Sequence, residues 1–166
     1  MFELKPISHD SLAGALAKAE RYRLLNEPGE AESICRDILA VEPDNQPALI
    51  SLILALTDQI ADDSHAFTNA LLMVDRLQAP YDRAYYAGIA WERRAKVRHH
   101  GGAQGAHHYV YEWIVTALDL FEKAEPLRAS GNDDAILRWN ACVRFLCQHK
   151  ELSPRTEDIP EPIVSE

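Results

Sequence analysis

No apolar run in this chain is long enough to cross a bilayer. The most apolar stretch, Ala48 to Leu56, is interrupted by Ser51, and a spanning helix needs about twenty apolar residues. The opening MFELKPISHD has no basic start followed by an apolar core, so no secretory leader is expected and the expected location is the cytoplasm. Cysteine is scarce and odd in number. Cys35, Cys142 and Cys147 each fall in a predicted helix among apolar neighbours, which predicts three buried free thiols rather than a disulfide or redox pair. An excess of positive charge is also missing. The formal net charge is -9, which argues against nucleic acid as a partner of the whole surface. Strand alternation is absent throughout, and the long segments instead have helical periodicity.

The 166 residues suffice for one domain with a real core. Short breaks of Pro, Gly, Asp and Asn divide them. The first predicted helix runs from about Ser8 to Leu25 and is closed by NEPG. The second covers Glu30 to Val41 and stops at EPDN. The third starts at Pro47, where a missing N–H costs nothing, and reaches Gln59. Asp62, Asp63 and Ser64 are cap types for a fourth helix ending near Gln78. A fifth begins near Tyr81, a sixth ends near Arg128, and a seventh, capped by Asn132 or Asp133, ends near Lys150. The domain is expected to span 1–150. The remainder, 151–166, is acidic and Pro-rich and is expected to be a flexible tail.

Short turns between helices suggest hairpins, and hairpins prompt a search for a repeat. In AKAERYRLLNEPGEAESICRDILAVEPDN, the residues Ala19, Tyr22, Ala31, Cys35, Ile38 and Pro43 hold the spacing of small and large residues by which two helices approach closely. Gly88 and Trp91 repeat the first-helix step, and Ala117, Phe121 and Ala124 repeat the second. Leu49, Leu52, Ala66, Ala70 and Met73 hold it with one residue inserted after Gln59. On these positions the chain resembles a tetratricopeptide-repeat protein over roughly Ser8 to Lys150. Cys35 stands where an aromatic is usual and Ile38 where a small residue is usual. An irregular helical bundle is the alternative.

The resemblance implies an all-α fold of three antiparallel helical hairpins, the third elongated, plus a C-terminal capping helix, in a right-handed superhelical stack. It further implies that the first helix of each pair lines a concave surface holding an extended peptide or a partner helix. The groove would be lined by Glu20, Arg23, Ser51, Leu54, Asp58, Tyr85, Tyr86, Ile89 and Arg93. Of adjacent tyrosines, one ring is expected toward the core and one toward the groove, where tyrosine is enriched among interface hot spots. A family subgroup grips a C-terminal carboxylate with Lys and Asn. Glu20, Leu54 and Ile89 hold comparable places and offer no such donors.

Gly88 and Ala117 lie 29 apart, where Ala19 and Ala31 lie 12 apart, so the third hairpin carries 17 extra residues. A stripe of Ala84, Gly88, Trp91 and Ala95, with Glu92 four before Lys96 as a surface pair, predicts that its helices run past the usual repeat edge. HHGGAQGAHH is then the hairpin tip, its glycines permitting the reversal. Two HH pairs there raise metal binding by His99, His100, His107 and His108. With no Asp, Glu or Cys between His99 and His108, no metal and no cofactor is expected. A phosphate cradle needs Lys and Ser or Thr after the glycines, and both are missing. The stretch Tyr81 to His108 nonetheless carries a local charge of +3, so Arg94, Lys96 and Arg98, beside Arg93, are candidate anion contacts.

Catalysis needs converging groups. Ser8, His9 and Asp10 are chain neighbours and do not converge as a triad does. Cys147 and His149 point to different faces of a helix. Trp91, Trp113 and Trp139 fit core stripes rather than an exposed stacking platform. The sequence therefore predicts no enzyme. It predicts a protein-interaction adaptor whose partner is a protein, a peptide or a second copy in a homodimer, with no membrane. The alternative function is an accessory protein that contacts a nucleic acid or acidic protein through the basic, His-rich tip.

Overall fold

A computed structural model describes residues 2–102 and 107–154. Among these residues the secondary structure is entirely helical: α1 (Leu12–Leu24), α2 (Pro28–Val41), α3 (Gln46–Asp58), α4 (Ala66–Val74), α5 (Pro80–His100), α6 (His107–Ala124) and α7 (Asp134–Gln148). Short 3₁₀ turns precede α1 at His9–Ser11 and follow α6 at Glu125–Leu127.

Local chemistry sets the boundaries. Asn26 closes α1 at φ 61°, a left-handed conformation that Asn tolerates because its short side chain bonds locally. Asn45 caps α3 by accepting a 2.9 Å hydrogen bond from the Ala48 N–H. Pro28 and Pro80 open α2 and α5. The fourth helix departs from expectation. Asp63 accepts from the His65 N–H at 2.8 Å, an Asx turn that delays helix entry to Ala66. At its other end, the Arg76 guanidinium donates to the Pro43 carbonyl (2.6 Å) and the Gln78 N–H donates to the Gln46 side chain (2.8 Å). Those bonds hold residues 75–79 as a connector.

Each helix packs on the next, and α1 also meets α3, α3 meets α5, and α5 meets α7. One apolar cluster joins α1 to α4 around Ala19, Cys35, Leu52, Leu56 and Val74. A second joins α5 to α7 around Ile89, Ala95, Val110, Ile114, Phe121 and Cys142. Tyr86 packs against both. Tyr85 and Gly88 meet Phe121, while Trp91 and Arg94 meet Trp113. Contacts therefore move back along α6 as α5 advances, and the two helices are antiparallel. Residues 103–106, the centre of the expected tip, lie outside the described residues.

Some expected core residues are not covered. Cys147 is exposed, because it lies five residues beyond buried Cys142, about 140° round the helix. Trp139 is 39% exposed, on the last helix among the described residues, where no further hairpin covers the outer side. Four residues past the expected boundary at 150 are described. Leu152 is buried in the second cluster, and His108 Nδ1 lies 3.0 Å from the Ser153 carbonyl oxygen. The chain just past α7 is thus packed. Residues 155–166, the bulk of the expected tail, lie outside the described residues.

In the long hairpin α5 and α6 come close together at Gly88. A Cβ there would lie 2.6 Å from the ring of Phe121, which is fully buried. Gly88→Ala should therefore cost about 1–3 kcal/mol through overpacking, with part recovered in the double variant with Phe121→Leu. Gly14→Ala, with open space around it, should instead gain about 0.5–1 kcal/mol from helix propensity. Urea denaturation of the three variants measures both signs.

Candidate functional site

The faces of α1, α3 and α5 are tied together by one carboxylate. Asp58, at the end of α3, accepts a 2.9 Å bond from Arg23 Nε of α1 and pairs with the Arg93 guanidinium of α5. Arg93 also reaches the Thr57 hydroxyl at 2.6 Å and the Leu54 carbonyl at 3.2 Å. Burial pulls the Arg93 value down and Asp58 pushes it back, so the ion pair offsets part of the desolvation. The two arginines lie 35 residues before and 35 after Asp58. Beside this line opens a cleft of about 670 Å³, lined by Thr57, Asp58, Ala61, Arg93, Lys96, Val97, His100 and Gly101.

The expected groove residues divide. Arg23, Asp58 and Arg93 share this face, Glu20 is exposed, and Leu54 is half-buried at the α3–α5 seam. Ser51 and Ile89 are only 4% and 2% exposed, so in this arrangement they cannot meet a partner. Ser51 turns inward to the Cys35 thiol, whose value burial raises. Ile89 fills the second core cluster. The tyrosines are both half-buried and engaged in packing. Tyr85 stacks on Tyr81 at 5.6 Å between ring centroids and meets Phe121 at 6.0 Å. Tyr86 spans the seam between the two cores, and burial raises its phenol to about 12.

The basic stretch is distributed over three surroundings. Arg93 faces Asp58. The Arg94 guanidinium lies 4.1 Å from the ring centres of both Phe67 and Trp113, a cation–π sandwich joining α4, α5 and α6. Lys96 Nζ sits 2.5 Å from Glu92 Oε1. Arg98 is exposed and lines a second cleft with Arg94, Asp63 and Trp113. The expected surface pair Glu92–Lys96 is in fact half core, because Glu92 is 1% exposed. Its second oxygen lies 3.5 Å from Arg138 of α7, an ion-pair contact without hydrogen-bond geometry. A sequence signal existed: Gly88, Glu92 and Ala95 fall at i, i+4 and i+7, which places a carboxylate on the buried stripe.

The four tip histidines do not converge among the described residues. His100 Nδ1 turns back to the Lys96 carbonyl oxygen at 2.6 Å, and His108 goes to Ser153. His99 instead meets His149, with ring centroids 4.2 Å apart. No helix among the described residues is long and apolar enough to cross a membrane. No family model, no curated protein and no solved structure matches the chain.

Tyr86 is raised from 10.0 to about 12 when folded, so the unfolded chain ionises first as pH climbs. Its contribution to stability is complete below about pH 10 and is lost as pH approaches about 12. Tyr86→Phe should be near neutral at pH 8 and should flatten the alkaline loss, read from urea midpoints along a pH series. Lys96→Met leaves the buried Glu92 carboxylate with the more distant Arg138 alone. It should cost about 2–3 kcal/mol, somewhat below the loss from breaking a fully buried pair because Lys96 is partly solvated. Arg36→Met, which removes an exposed i,i+4 pair with Glu32, should cost under about 1 kcal/mol in the same denaturation assay.

Proposed function

We propose that the chain is a protein-interaction adaptor of tetratricopeptide-repeat type. In this reading three helical hairpins form a right-handed superhelical stack, and α7 caps it. A peptide segment or partner helix lies along the shared α1–α3–α5 face. The adaptor carries out no chemistry itself, and a cytoplasmic setting goes with it. The observation that carries this reading is the Arg23–Asp58–Arg93 line, which links three helices at successive separations of 35 residues. A separation near one repeat length, with α1 on α3 and α3 on α5, is what stacked hairpins require. The open cleft beside the line supplies a place for a partner side chain. Its lining mixes the paired Asp58 and Arg93 with Ala61 and Val97, which suits a segment of mixed polarity.

The alternative, an anionic partner at the basic stretch, draws less support. Arg93 and Lys96 already face carboxylates, and Arg94 lies between two rings.

The adaptor reading is tested by photo-crosslinking in the native cell. A photoreactive residue is placed at Ala61, exposed in the cleft, or at Leu72, exposed on α4. A discrete adduct from position 61 and none from 72 is the expected result. Adducts from 72 alone, or none from 61, would overturn the assignment of the face.

A further inference from the structure

His99 stands next to the end of α5, His149 directly follows α7, and Glu151 lies in the next turn. Each offers one ligand atom, and these atoms lie within 4.8 Å of one another. We propose that these three side chains form a binding site for a divalent first-row transition metal of the zinc class.

The donor set points to that class. Two imidazole nitrogens and one carboxylate oxygen suit zinc and its neighbours, whereas calcium and magnesium favour all-oxygen sets. The spacing is close to what coordination needs. Ligand atoms at about 2.0–2.1 Å from a tetrahedral zinc stand roughly 3.3 Å apart. His149 Nδ1 and Glu151 Oε1 are already 3.1 Å apart, so His99 has to close the remaining gap by side-chain rotation. Three protein ligands leave one position for water or an exogenous donor.

The surroundings hold the ligands in place. Phe145 flanks both rings, 5.3 Å from His99 and 4.6 Å from His149 between centroids. Buried Leu152 and the bond between His108 and the Ser153 carbonyl fix the turn that carries Glu151.

A merely structural cluster of aromatic rings would look similar without binding anything, so the test uses the metal alone. Untagged, chelator-stripped full-length protein is titrated with zinc chloride by calorimetry, and with cobalt(II) followed by visible absorbance. One equivalent should bind saturably, and the melting temperature should rise with zinc, because only the folded state assembles the site. His149→Asn should weaken binding by at least the roughly tenfold that loss of an outer-shell partner already costs. Glu151→Gln should do the same. Glu151 is exposed, so that variant folds and keeps the proposal falsifiable. His65→Asn, on α4's approach, should bind as the wild type does. Absence of a saturable equivalent would overturn the site. So would zinc or cobalt binding that persists undiminished in Glu151→Gln, the signature of adventitious surface histidines.

Discussion

A carboxylate sealed from water must find cations, because an uncompensated buried charge costs several kcal/mol. Glu92 is in that position, with Lys96 one turn on along α5 and Arg138 across on α7. The first partner is local and is set by the helix itself. The second lies across the α5–α7 contact. Arg138 stands opposite Glu92, and seven residues further along each helix, His99 meets Phe145. The equal step means that α5 and α7 run in the same direction. The end of α7 therefore arrives at the end of α5, which is why His149 and Glu151 lie beside His99.

Asp58 plays the corresponding part at the end of α3. Arg23 and Arg93 converge on it, so α1, α3 and α5 are tied by charge as well as by the apolar seam at Leu54 and Tyr86. Three charged side chains therefore hold one another on one side of these helices. Binding to a preorganised surface avoids part of the ordering cost that association otherwise carries. The pairing also changes what the positive charges mean. A run that reads as a cationic patch along the chain is largely matched by carboxylates and aromatic rings in three dimensions.

Helix α5 of the long α5–α6 hairpin carries a residue of each group, Glu92 and Arg93. Gly88 lets Phe121 lie flat against α5, and Arg94 fills the space between Phe67 and Trp113. Close packing at one end and a cation–π sandwich in the middle carry both helices beyond the length of α1–α4. That extension brings His99 to the end of α7, beside Phe145 and His149.

Much of the fold was legible along the chain. Caps and prolines at Asn26, Pro28, Asn45 and Pro80 act within a few residues, and the periodicity of Ala19, Ala31, Ala117 and Phe121 marks buried stripes without reference to any partner helix. The helical class and most helix ends follow from such local terms. Which polar groups are spent inside the protein is a different kind of fact. Ser51 and Ile89 turn inward, Glu92 is a core charge, and Arg94 is a packing residue, because each outcome depends on what a distant helix presents. His99 and His149 are fifty positions apart, and no spacing rule relates them. Residue order determined where helices begin, end and show an apolar stripe, since those energies are local. Only the tertiary structure decided which charges and imidazoles meet, since helix docking brings together groups that the chain keeps far apart.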